Sequence, residues 1–414
     1  MIVTPYIATI TAALKELPSL CQPEYKGGTK LDDLKYLLSH GRNIVCTHSC
    51  FLNVDAEVWD LVKNGGYTLF IDEVLDVIKP INDIIDDVGY KVKNGTARFL
   101  IKANVIDVDD KGRVSWCFDD MDEDYEYRYL EPIIKTGNVL CAEGKLFLWM
   151  FPPQIFEAFD NVYILSYLFE GSVFDAYLKI HGFEYTVEGV KGRYGSSNGY
   201  RFTSYRDDTE DRKRLRRLID VYAGKANDIG EKRNALSATW FDNATREDIR
   251  CVSRSFNTFI KNARLKSPDW PIMWTAFKNE RETLAIKGAK YIRRLSAEEN
   301  AAMEADSDYK DPELNKLRCF LSCNARATND YADRRVLGYI ANRFYNPVFR
   351  RILNNVYGIA LNEERYALSE MLQWIWRSRI RRNDLSDEER RITIYIPSER
   401  MRKLLDRWLN GETV

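Results

Sequence analysis

The stretch YTLFIDEVL, at residues 67–75, decides the predicted fold. Its apolar run predicts a buried strand over residues 67–73 that ends in two acids, Asp72 and Glu73. In parallel α/β sheets, ligands bind beyond the carboxyl ends of the strands. Two adjacent acids in that position are costly to bury unless they hold a cation or activate a water molecule. In a nucleotide hydrolase, Asp72 would hold Mg²⁺ through its waters and Glu73 would orient the attacking water. The alternative is a helix N-cap followed by a first-turn acid.

Short apolar runs alternate with helical patterns around this strand. Residues 2–6 (IVTPY) and 43–48 (NIVCTH) predict strands, whereas residues 31–38 and 54–62 have apolar positions at helical spacing. An interrupted helix is predicted after the acids, over residues 74–85. Strands that alternate with helices in this way predict parallel βαβ units.

The region 84–150 has a different character. Turn signals at residues 94–95 (NG), 109–112 (DDKG) and 143–144 (EG) each lie between short β-prone runs, which is typical of hairpins. We therefore predict a β-rich insertion over this region. A buried strand follows at residues 161–171.

A second alternation of strands and helices begins near residue 183. Strands are predicted at 200–205, 271–278, 316–323 and 391–398, and helices at 211–226, 330–345, 364–381 and up to residue 409. The fold class predicted from both alternations is α/β with parallel sheets. We predict two domains, residues 1–185 and 186–414, hinged near 175–200, with the β-rich insertion in the first.

The composition excludes several classes of protein. The 414 residues include 61 basic and 62 acidic side chains, so the chain is neither a globally basic nucleic-acid coat nor a globally acidic solvating protein. No apolar run approaches the ~18–20 residues of a membrane helix. The first residues lack the basic start of a signal peptide, and the eight cysteines form no CxxC pair. We therefore predict reduced cysteines, no membrane association and a cytoplasmic location.

The charge is distributed unevenly between the two halves. Residues 1–200 carry 19 basic and 30 acidic side chains, whereas residues 201–414 carry 42 and 32. The basic second half predicts contact with a polyanion, and the alternative is that two oppositely charged domains attract each other. The predicted nucleic-acid contacts on the charged helix are Arg212, Lys213, Arg214, Arg216 and Arg217.

A row of polar side chains on the helix at 364–381 suits a phosphate. Gln373, Arg377 and Arg381 recur every four residues, so they share one face of the predicted helix. Guanidinium groups match phosphate oxygens in geometry and charge. The alternative is a solvated basic stripe that pairs with the acids at 384–388.

Two further sets of small polar residues follow predicted strands. Asn324, Thr328 and Asn329 could cap a helix and bind phosphate oxygens, although a plain N-cap is the alternative. A second set could grip a nucleic-acid backbone at the sheet edge that carries Asp72, and a strand-end turn is its alternative. This second set is Thr4, Pro5, Tyr6, Thr47 and His48.

In this order, the segments resemble a superfamily 2 helicase, a DEAD/DEAH-like ATPase of the kind that bacteriophages encode. TPY resembles motif Ia, CTH resembles motif Ib, DEVL (72–75) resembles motif II, and ILSYLFEGS (164–172) resembles the segment of motif III. MWTAFK (273–278) resembles motif IV, NARATNDY (324–331) motif V and QWIWRSRIR (373–381) motif VI. The resemblance implies two RecA-like domains that close on ATP and Mg²⁺ and act on single-stranded DNA or RNA in replication, recombination or repair.

The resemblance also implies a role for each matching residue. Asp72 and Glu73 would act from the first domain, and Gln373 with the arginines of motif VI from the second. The implied arginine fingers are Arg377 with Arg379 or Arg381. The implied nucleotide contacts are Asp72, Asn324, Thr328 and Asn329. Nucleic acid would lie across both domains, and the host cytoplasm would be the location of a phage-encoded protein.

The sequence departs from the family pattern in two respects. Trp376 stands where motif VI has glycine, and the final arginine falls at 379 or 381 instead of 380. No GxxxxGK[ST] phosphate-binding loop is present, and GGTK (27–30) and EGVKGRYGSS (188–197) are only faint echoes of one. Either an upstream segment is absent from this sequence, or the protein is an inactive helicase-like module. Loss of that strand and loop would also leave a sheet edge open to another polypeptide.

Two other functions compete with an ATP-dependent helicase or translocase. The inactive module would bind nucleic acid or a replication or repair partner through the basic second half, without turnover. A metal-dependent nuclease would use the acids at 119–126, although that run lacks a strand-end setting. An ATPase assay with and without single-stranded nucleic acid distinguishes these hypotheses.

We predict that this chain alone binds ATP weakly or not at all. The phosphate cradle of such proteins comes from backbone amides and a lysine in one contiguous loop. Motifs II and VI supply metal and phosphate contacts but no such cradle. Isothermal titration calorimetry with MgATP measures this, and a micromolar dissociation constant would contradict the prediction.

Overall fold

The structure, a computed structural model, divides into two compact units. The first unit comprises Met1–Glu184 and Tyr345–Asn362, and the second comprises Tyr185–Phe344 and Glu363–Val414. The predicted boundary lies one residue from the division at 184, but residues 345–362, which we placed in the second domain, belong to the first unit. The structure describes residues 1–5, 7–26, 28–85, 90–93, 95–118, 125–192, 199–205, 209–284, 286–306, 311–323 and 328–414.

The first unit combines parallel strands with a group of short antiparallel ones. Its described strands are β1 (Ile2–Thr4), β2 (Leu20–Cys21), β3 (Asn43–Thr47), β4 (Thr68–Asp72), β5 (Ile78–Pro80), β6 (Ile106–Val108), β7 (Val114–Trp116), β8 (Val139–Ala142), β9 (Leu146–Met150) and β10 (Asn161–Leu165). Its described helices are α1 (Ile7–Glu16), α2 (Lys30–Ser39), α3 (His48–Leu52), α4 (Ala56–Gly65), α5 (Asn82–Ile85), α6 (Thr96–Lys102), α7 (Glu131–Ile134), α8 (Gln154–Glu157), α9 (Val173–Ile180) and, from later in the chain, α16 (Pro347–Tyr357).

A five-stranded parallel sheet forms the centre of the first unit. The strand order is β10-β4-β1-β3-β2, so the strand that carries Asp72 lies between β1 and β10. Val3, Ile44, Leu69 and Ile71 point to one face, are fully buried, and share a core with residues of α2 and α4. Burial of this kind explains the apolar runs that predicted the strands. The predicted parallel α/β fold is confirmed for this unit.

The predicted insertion forms its own antiparallel layer. β5, β9 and β8 make a three-stranded sheet, and β6 pairs with β7 in a hairpin. Gly112 and Gly144 have φ angles of 76° and 62° in the hairpin turns, a region that favours glycine, so the turn signals at 109–112 and 143–144 are confirmed. The hairpin signal at 94–95 is wrong, because Gly95 is the N-cap of α6.

The chain after Asp72 does not continue as the predicted helix. Residues 74–77 have no regular structure, and β5 follows them as an edge strand paired with β9. Pro80 is accommodated there because an edge strand needs no ladder hydrogen bond from that nitrogen. Leu75 and Val77 are buried, so this apolar run packs in an extended form. The helix predicted at 74–85 is therefore wrong except for α5.

The second unit contains a second parallel sheet. Its described strands are β11 (Glu188–Gly192), β12 (Tyr200–Ser204), β13 (Ile219–Val221), β14 (Ile272–Thr275), β15 (Val336–Tyr339) and β16 (Ile392–Tyr395). Its described helices are α10 (Thr209–Leu218), α11 (Ala238–Asp242), α12 (Arg246–Lys266), α13 (Glu280–Leu284), α14 (Ala297–Ala305), α15 (Pro312–Leu317), α17 (Glu363–Ile375), α18 (Asp387–Arg390) and α19 (Glu399–Leu409). β11 and β12 form an antiparallel hairpin, and the other four strands are parallel in the order β13-β16-β15-β14.

The central strand β15 replaces a predicted long helix. All four of its residues are buried. Phe256 of α12 lies against Gly338 on one face, and Trp374 of α17 lies 5.4 Å from Tyr339, between ring centroids, on the other. A short strand buried on both faces cannot be distinguished from a buried helix by periodicity alone. The helix predicted at 330–345 is therefore wrong.

Other helices and strands of the second unit also have bounds that differ from the predicted ones. The charged helix ends at Leu218 because Ile219 begins β13, and the helix predicted at 364–381 ends at Ile375. The strand predicted at 316–323 is reduced to two isolated bridges, between Trp274 and Phe320 and between Tyr291 and Arg318. The strands at 271–278 and 391–398 and the final helix are confirmed by β14, β16 and α19. Across the described residues, no helix has both the length and the apolar character needed to cross a membrane.

The face of β15 that meets α12 has no room for a side chain at Gly338. A methyl group there would lie 2.3 and 2.4 Å from two ring carbons of Phe256. We expect Gly338→Ala to lower the free energy of unfolding by about 1–3 kcal/mol, because a fully buried ring must move. Urea denaturation measures this change.

The matched control is the double variant with Phe256→Leu. A smaller side chain at 256 leaves room for the new methyl group, so the double variant should lose less stability than the sum of the two single variants. Strict additivity would show that the contact between Gly338 and Phe256 is not the source of the effect.

Candidate nucleotide and nucleic-acid interface

The carboxyl ends of three neighbouring strands lie side by side in the first sheet. Thr4, Thr47 and Asp72 end β1, β3 and β4, and Thr4 pairs in register with Thr47. Adjacent strands are about 4.8 Å apart, so the structure brings together the TPY, CTH and DE segments. Pro5 follows at this edge and is half-buried, whereas Tyr6 lies outside the described residues.

Thr47 and His48 support the local structure of this edge. The Thr47 hydroxyl accepts a hydrogen bond from the Cys50 amide at 3.1 Å and so caps α3. His48 Nε2 donates to the carbonyl oxygen of Asp72 at 2.9 Å. Thr47 therefore occupies the strand-end turn that we gave as its alternative, and His48 positions the end of β4.

Asp72 and Glu73 lie in a strained turn that does not begin a helix. Glu73 has a φ angle of 66°, and its amide donates to the carbonyl oxygen of Leu165 at 2.9 Å. A non-glycine residue in this region costs on the order of 1 kcal/mol or more, and such strain clusters at functional sites. Both side chains are half-buried. Because no helix starts here, the alternative of an N-cap with a first-turn acid is wrong.

The acid pair could hold a magnesium ion whose other ligands are waters and phosphate oxygens. Mg²⁺ is usually held by one or two carboxylates, several waters and substrate phosphates. Asp72 and Glu73 supply two carboxylates in sequence, and no cluster of three or more metal-binding side chains occurs in the described part of the chain. Asp72 and Glu73 are therefore the residues of this edge that could hold such an ion.

The two partial matches to the phosphate-binding loop, GGTK and EGVKGRYGSS, do not supply a phosphate-binding site beside Asp72. Thr29 of GGTK forms a capping box with Asp32 at the start of α2. That helix follows β2, which is three strands from β4 and so about 14 Å away. In the second partial match, EGVKGRYGSS, residues 188–192 form a hairpin strand, and residues 193–198 lie outside the described residues.

The predicted phosphate contacts at Thr328 and Asn329 do not sit at a helix N-terminus. The Thr328 hydroxyl donates to the Asp330 carboxylate at 2.8 Å and accepts from the Asp330 amide at 3.2 Å. A turn and then β15 follow, so the prediction of a helix cap is wrong for these residues. Asn324 lies outside the described residues.

The arginine row is not continuous on one helix face. Gln373 is on α17 and half-buried, but the helix ends at Ile375, and Arg379 and Arg381 lie in a 3₁₀ turn. The turn forms because Ser378 caps it and Ile380 is fully buried. The shared face that we predicted for Gln373, Arg377 and Arg381 is therefore wrong.

Arg379 is held at the amino end of β15. Its backbone amide donates to the carbonyl oxygen of Arg334, and its Nε donates to the carbonyl oxygen of Glu389 at 2.8 Å. Among the acids that we gave as alternative partners of the row, Asp384 pairs with Arg382. Arg379 thus lies near the end of the second sheet where β15 begins.

The basic residues of α10 have different roles. Arg212 is only 4 % exposed and donates to the carbonyl oxygens of Trp408 and Glu412 at 3.4 and 3.1 Å. Its guanidinium also lies 5.8 Å from the Trp408 ring centroid. Arg212 therefore fixes the C-terminal segment, and its prediction as a nucleic-acid contact is wrong because the side chain is buried.

Three neighbouring arginines of α10 are exposed. Arg214 forms a two-point ion pair with Asp387, and Arg216 pairs with Asp406 at 2.5 Å. Exposed pairs of this kind contribute about 0–1 kcal/mol, so a polyanion can displace them. Within the described residues, the Arg217 side chain makes no hydrogen bond or ion pair.

A groove of about 990 Å³ in the second unit runs beside β13. Arg217 and Arg391 line it and are exposed. The Arg335 guanidinium lies 3.7 Å from the Trp270 ring centroid in the same wall. Burial, and then the charge of Arg379, lowers the pKa of Arg335. Guanidinium groups beside an aromatic ring can bind single strands through phosphates and stacked bases. The lining of the groove also includes five acids, which are Asp220, Asp228, Glu231, Glu388 and Asp406.

Sequence reasoning missed Trp270, Arg335 and Arg391. A signal was available, because RRVLGYI and RRITIYI (334–340 and 390–396) share a pattern in which two arginines precede a strand. In each pair the first arginine is buried and the second lies in the wall of the groove. Since β15 and β16 are adjacent and parallel, the repeated pattern places Arg335 and Arg391 at the same edge.

The two parallel sheets and their strand-end polar groups define an α/β protein with a Rossmann-like second half. Residues 213–409 match the family model described as the YonV C-terminal Rossmann-like domain. The chain is 31 % identical to the SPbeta prophage-derived protein YonV of Bacillus subtilis (strain 168), over 99 % of this chain and 92 % of that protein. The chain belongs to the YonV family.

Loss of the buried arginine should affect stability more than loss of its exposed neighbour. Arg212→Ala removes a charged donor from two backbone carbonyls and leaves a gap beside Trp408, so we expect a loss of about 2–3 kcal/mol in the free energy of unfolding. Arg217→Ala, the matched control on the same helix, should change it by less than about 0.5 kcal/mol. Thermal and urea denaturation compare the two, and equal losses would contradict the anchoring role of Arg212.

Proposed function

We propose that this protein is a helicase-like, nucleotide-dependent nucleic-acid-binding protein of phage origin, with two RecA-like domains. One observation carries the proposal. The adjacent acids Asp72 and Glu73 occupy a strained, half-buried turn beside the ends of β1 and β3, and they do not serve as a helix cap. Carboxylates at the carboxyl end of a parallel strand have the chemistry of a magnesium–nucleotide site.

The proposed roles follow from position and charge. Asp72 would hold Mg²⁺ through water, and Glu73 would orient the attacking water. Bound Mg²⁺ would neutralise charge on the phosphates that react. Gln373, Arg377 and either Arg379 or Arg381 remain the proposed phosphate-facing residues of the second unit. The prophage origin of the YonV relative supports a phage setting.

A second candidate function is a binding module without turnover. The absence of GxxxxGK[ST] from the sequence favours it, because phosphates then lack their usual amide cradle. In that case the basic second unit would hold nucleic acid or a replication or repair protein, and the acid pair would have a structural role.

An ATPase assay of the full chain distinguishes the two functions. Turnover that single-stranded oligonucleotide stimulates, and that Glu73→Gln reduces by at least tenfold, would support the nucleotide-dependent function. Asp76→Asn is the matched control, because that acid follows the strained turn. If the chain binds the oligonucleotide but does not hydrolyse ATP, either alone or after a protein with a phosphate-binding loop is added, the result would support the binding module.

Nucleic-acid binding should depend on Arg217 and Arg391, the two exposed arginines of the groove that α10 and β16 place there. We expect Arg217→Ala/Arg391→Ala to weaken single-strand binding and to reduce the slope of log affinity against log salt by about 1.4, since each neutralised phosphate contributes about 0.7. Fluorescence anisotropy with a labelled oligonucleotide at several salt concentrations measures both quantities.

The control variant removes the same number of positive charges from a different part of the second unit. Arg250→Ala/Arg254→Ala removes two exposed arginines from α12 that pair with Glu247. This variant should retain the slope of the unmodified chain. If both double variants lower the slope equally, binding depends on net charge and the groove is not the site.

A further inference from the structure

A cluster of polar side chains lies inside the second unit. None of its members lines the groove beside β13, and none has a part in the functions proposed above. They come from separate stretches of the chain, so the cluster exists only in the folded protein. Its members are Cys323, Tyr339, Arg343, Tyr366 and Glu370.

The second sheet positions Cys323 and Tyr339 at the same edge. The Leu321 amide donates to the carbonyl oxygen of Trp274 at 2.9 Å, so the segment before Cys323 runs parallel to β14. The carbonyl oxygen of Leu321 accepts from the indole N–H of Trp374 at 3.1 Å, which fixes this segment against α17. Tyr339 is the last residue of β15, the neighbour of β14. Both side chains are therefore held at the carboxyl edge of the second sheet.

Arg343 connects the members of the cluster. Its Nη2 donates to the Tyr366 hydroxyl oxygen at 2.7 Å and to the Glu370 carboxylate at 3.2 Å, and these two residues are one turn apart on α17. Its Nη1 donates to the Cys323 sulfur at 3.6 Å. Burial opposes the charge of Arg343, but Tyr366, Cys323 and Glu370 together raise its pKa, so the guanidinium stays positive. A positive donor beside a thiol favours the thiolate, which is the reactive form of cysteine.

Two donors of the cluster have no acceptor in the described part of the chain. They are the hydroxyl group of Tyr339, which is fully buried, and Nε of Arg343. Burial, and then the charge of Cys323, raises the pKa of Tyr339, so the hydroxyl keeps its proton and the sulfur is the ionisable neighbour with the largest effect on it. A buried donor without an acceptor is costly, so one more acceptor atom at the sulfur would stabilise the cluster.

We propose that Cys323 is a peroxide-sensitive thiol whose oxidised form, a sulfenic acid, is held by Arg343 and Tyr339. Cys323 is 6 % exposed and the Arg343 side chain is 18 % exposed, so a molecule as small as hydrogen peroxide can reach the sulfur. This modification requires neither a nucleotide nor a nucleic acid, and it stands whether or not the proposed function is correct.

The oxidation is a transfer of one oxygen atom from hydrogen peroxide. The thiol of Cys323 releases its proton to the solvent, and the sulfur attacks one peroxide oxygen. An S–O bond forms, the O–O bond breaks, and the hydroxide that leaves takes a proton from the solvent and becomes water. The sulfur loses two electrons and the peroxide gains them. The oxygen now bonded to sulfur accepts the hydrogen bond for which Tyr339 has no other acceptor.

Three other cysteines each have one feature of this environment. Cys319 is fully buried, and burial raises its pKa to about 12, so it stays protonated. The Cys251 sulfur accepts from Arg254 at 3.2 Å, but the thiol also donates to Glu247, and both charged side chains are exposed, where water and salt screen them. Cys117 is exposed. These thiols are internal controls for burial, for a neighbouring arginine and for exposure.

Timed oxidation of the full chain tests the reactivity. The protein is treated with micromolar hydrogen peroxide, the sulfenic acid is trapped with dimedone, and mass spectrometry measures the labelling of each cysteine. Cys323 should be labelled about tenfold faster than Cys117 and Cys251, and Cys319 should stay unlabelled. Equal rates at Cys323 and Cys117, or labelling of Cys323 only with millimolar peroxide, would overturn the inference.

Tyr339→Phe tests how the oxidised form is held. The variant keeps the ring that packs against Trp374 and removes only the hydroxyl. Because this hydroxyl has no acceptor before oxidation, the melting temperature should not fall. Tyr395→Phe, at the last residue of β16, should lower it, since that hydroxyl donates to the carbonyl oxygen of Ala226 at 2.6 Å. After peroxide treatment, Tyr339→Phe should convert sulfenic to sulfinic acid about tenfold faster than the unmodified chain.

The same measurements can contradict the role of Tyr339. If Tyr339→Phe lowers the melting temperature as much as Tyr395→Phe, the hydroxyl is already bonded and does not wait for an acceptor. If the sulfenic acid lasts equally long with and without that hydroxyl, Tyr339 does not hold it. Either result would overturn the inference.

Arg343→Lys tests the activation of the thiol. Lysine keeps a positive charge but loses the planar fork that reaches Cys323, Tyr366 and Glu370 together, so labelling of Cys323 should slow about tenfold. An unchanged rate would overturn the role of Arg343. If the variant melts at a lower temperature, the pH dependence of alkylation by iodoacetamide in the unmodified chain replaces it. A midpoint for Cys323 below that of Cys117 would support the inference, and equal midpoints would overturn it.

Discussion

Burial of parallel strands is the constraint on which the rest of the structure depends. In each sheet, apolar strand residues are packed away from water, so polar groups can lie only at the strand ends or on a face that is left uncovered. Thr4, Thr47 and Asp72 meet at one such end in the first unit. In the second unit the same constraint places Arg334 and Arg390 just before β15 and β16, where buried guanidinium groups donate to carbonyl oxygens of Arg318 and Ile380.

The two units use this constraint differently. The central strand of the second sheet is enclosed by α12 and α17, and its two faces are fully occupied by Phe256 and Trp374. The first sheet is enclosed on the side of Val3 and Ile71 but open at Phe70 and Leu165. The exposed side chains Phe70 and Leu165 lie on the same face as Asp72, beside the strained turn at Glu73.

The fold class was predictable from sequence, and so were the elements whose patterns were unambiguous. YTLFIDEVL, NIVCTH and RITIYIPS each gave a strand near its predicted position, and the insertion hairpins at Gly112 and Gly144 followed from their turn residues. The site was predictable in part: the acid pair and its neighbours at β1 and β3 converge, whereas the arginine row does not. Its regular spacing of four residues assumed a helix that continues past Ile375, but burial of Ile380 bends the chain into a 3₁₀ turn.

The sequence by itself determined which segments are apolar, where tight turns occur and which charges are close along the chain. These are local properties, since they depend on side-chain type and spacing alone. The tertiary structure decided that VLGY forms a central strand, that Arg212 is an internal anchor while Arg217 faces a groove, and that β10 has an open edge. Each of these outcomes depends on what lies across the sheet or behind the helix, and that information belongs to residues distant in the sequence.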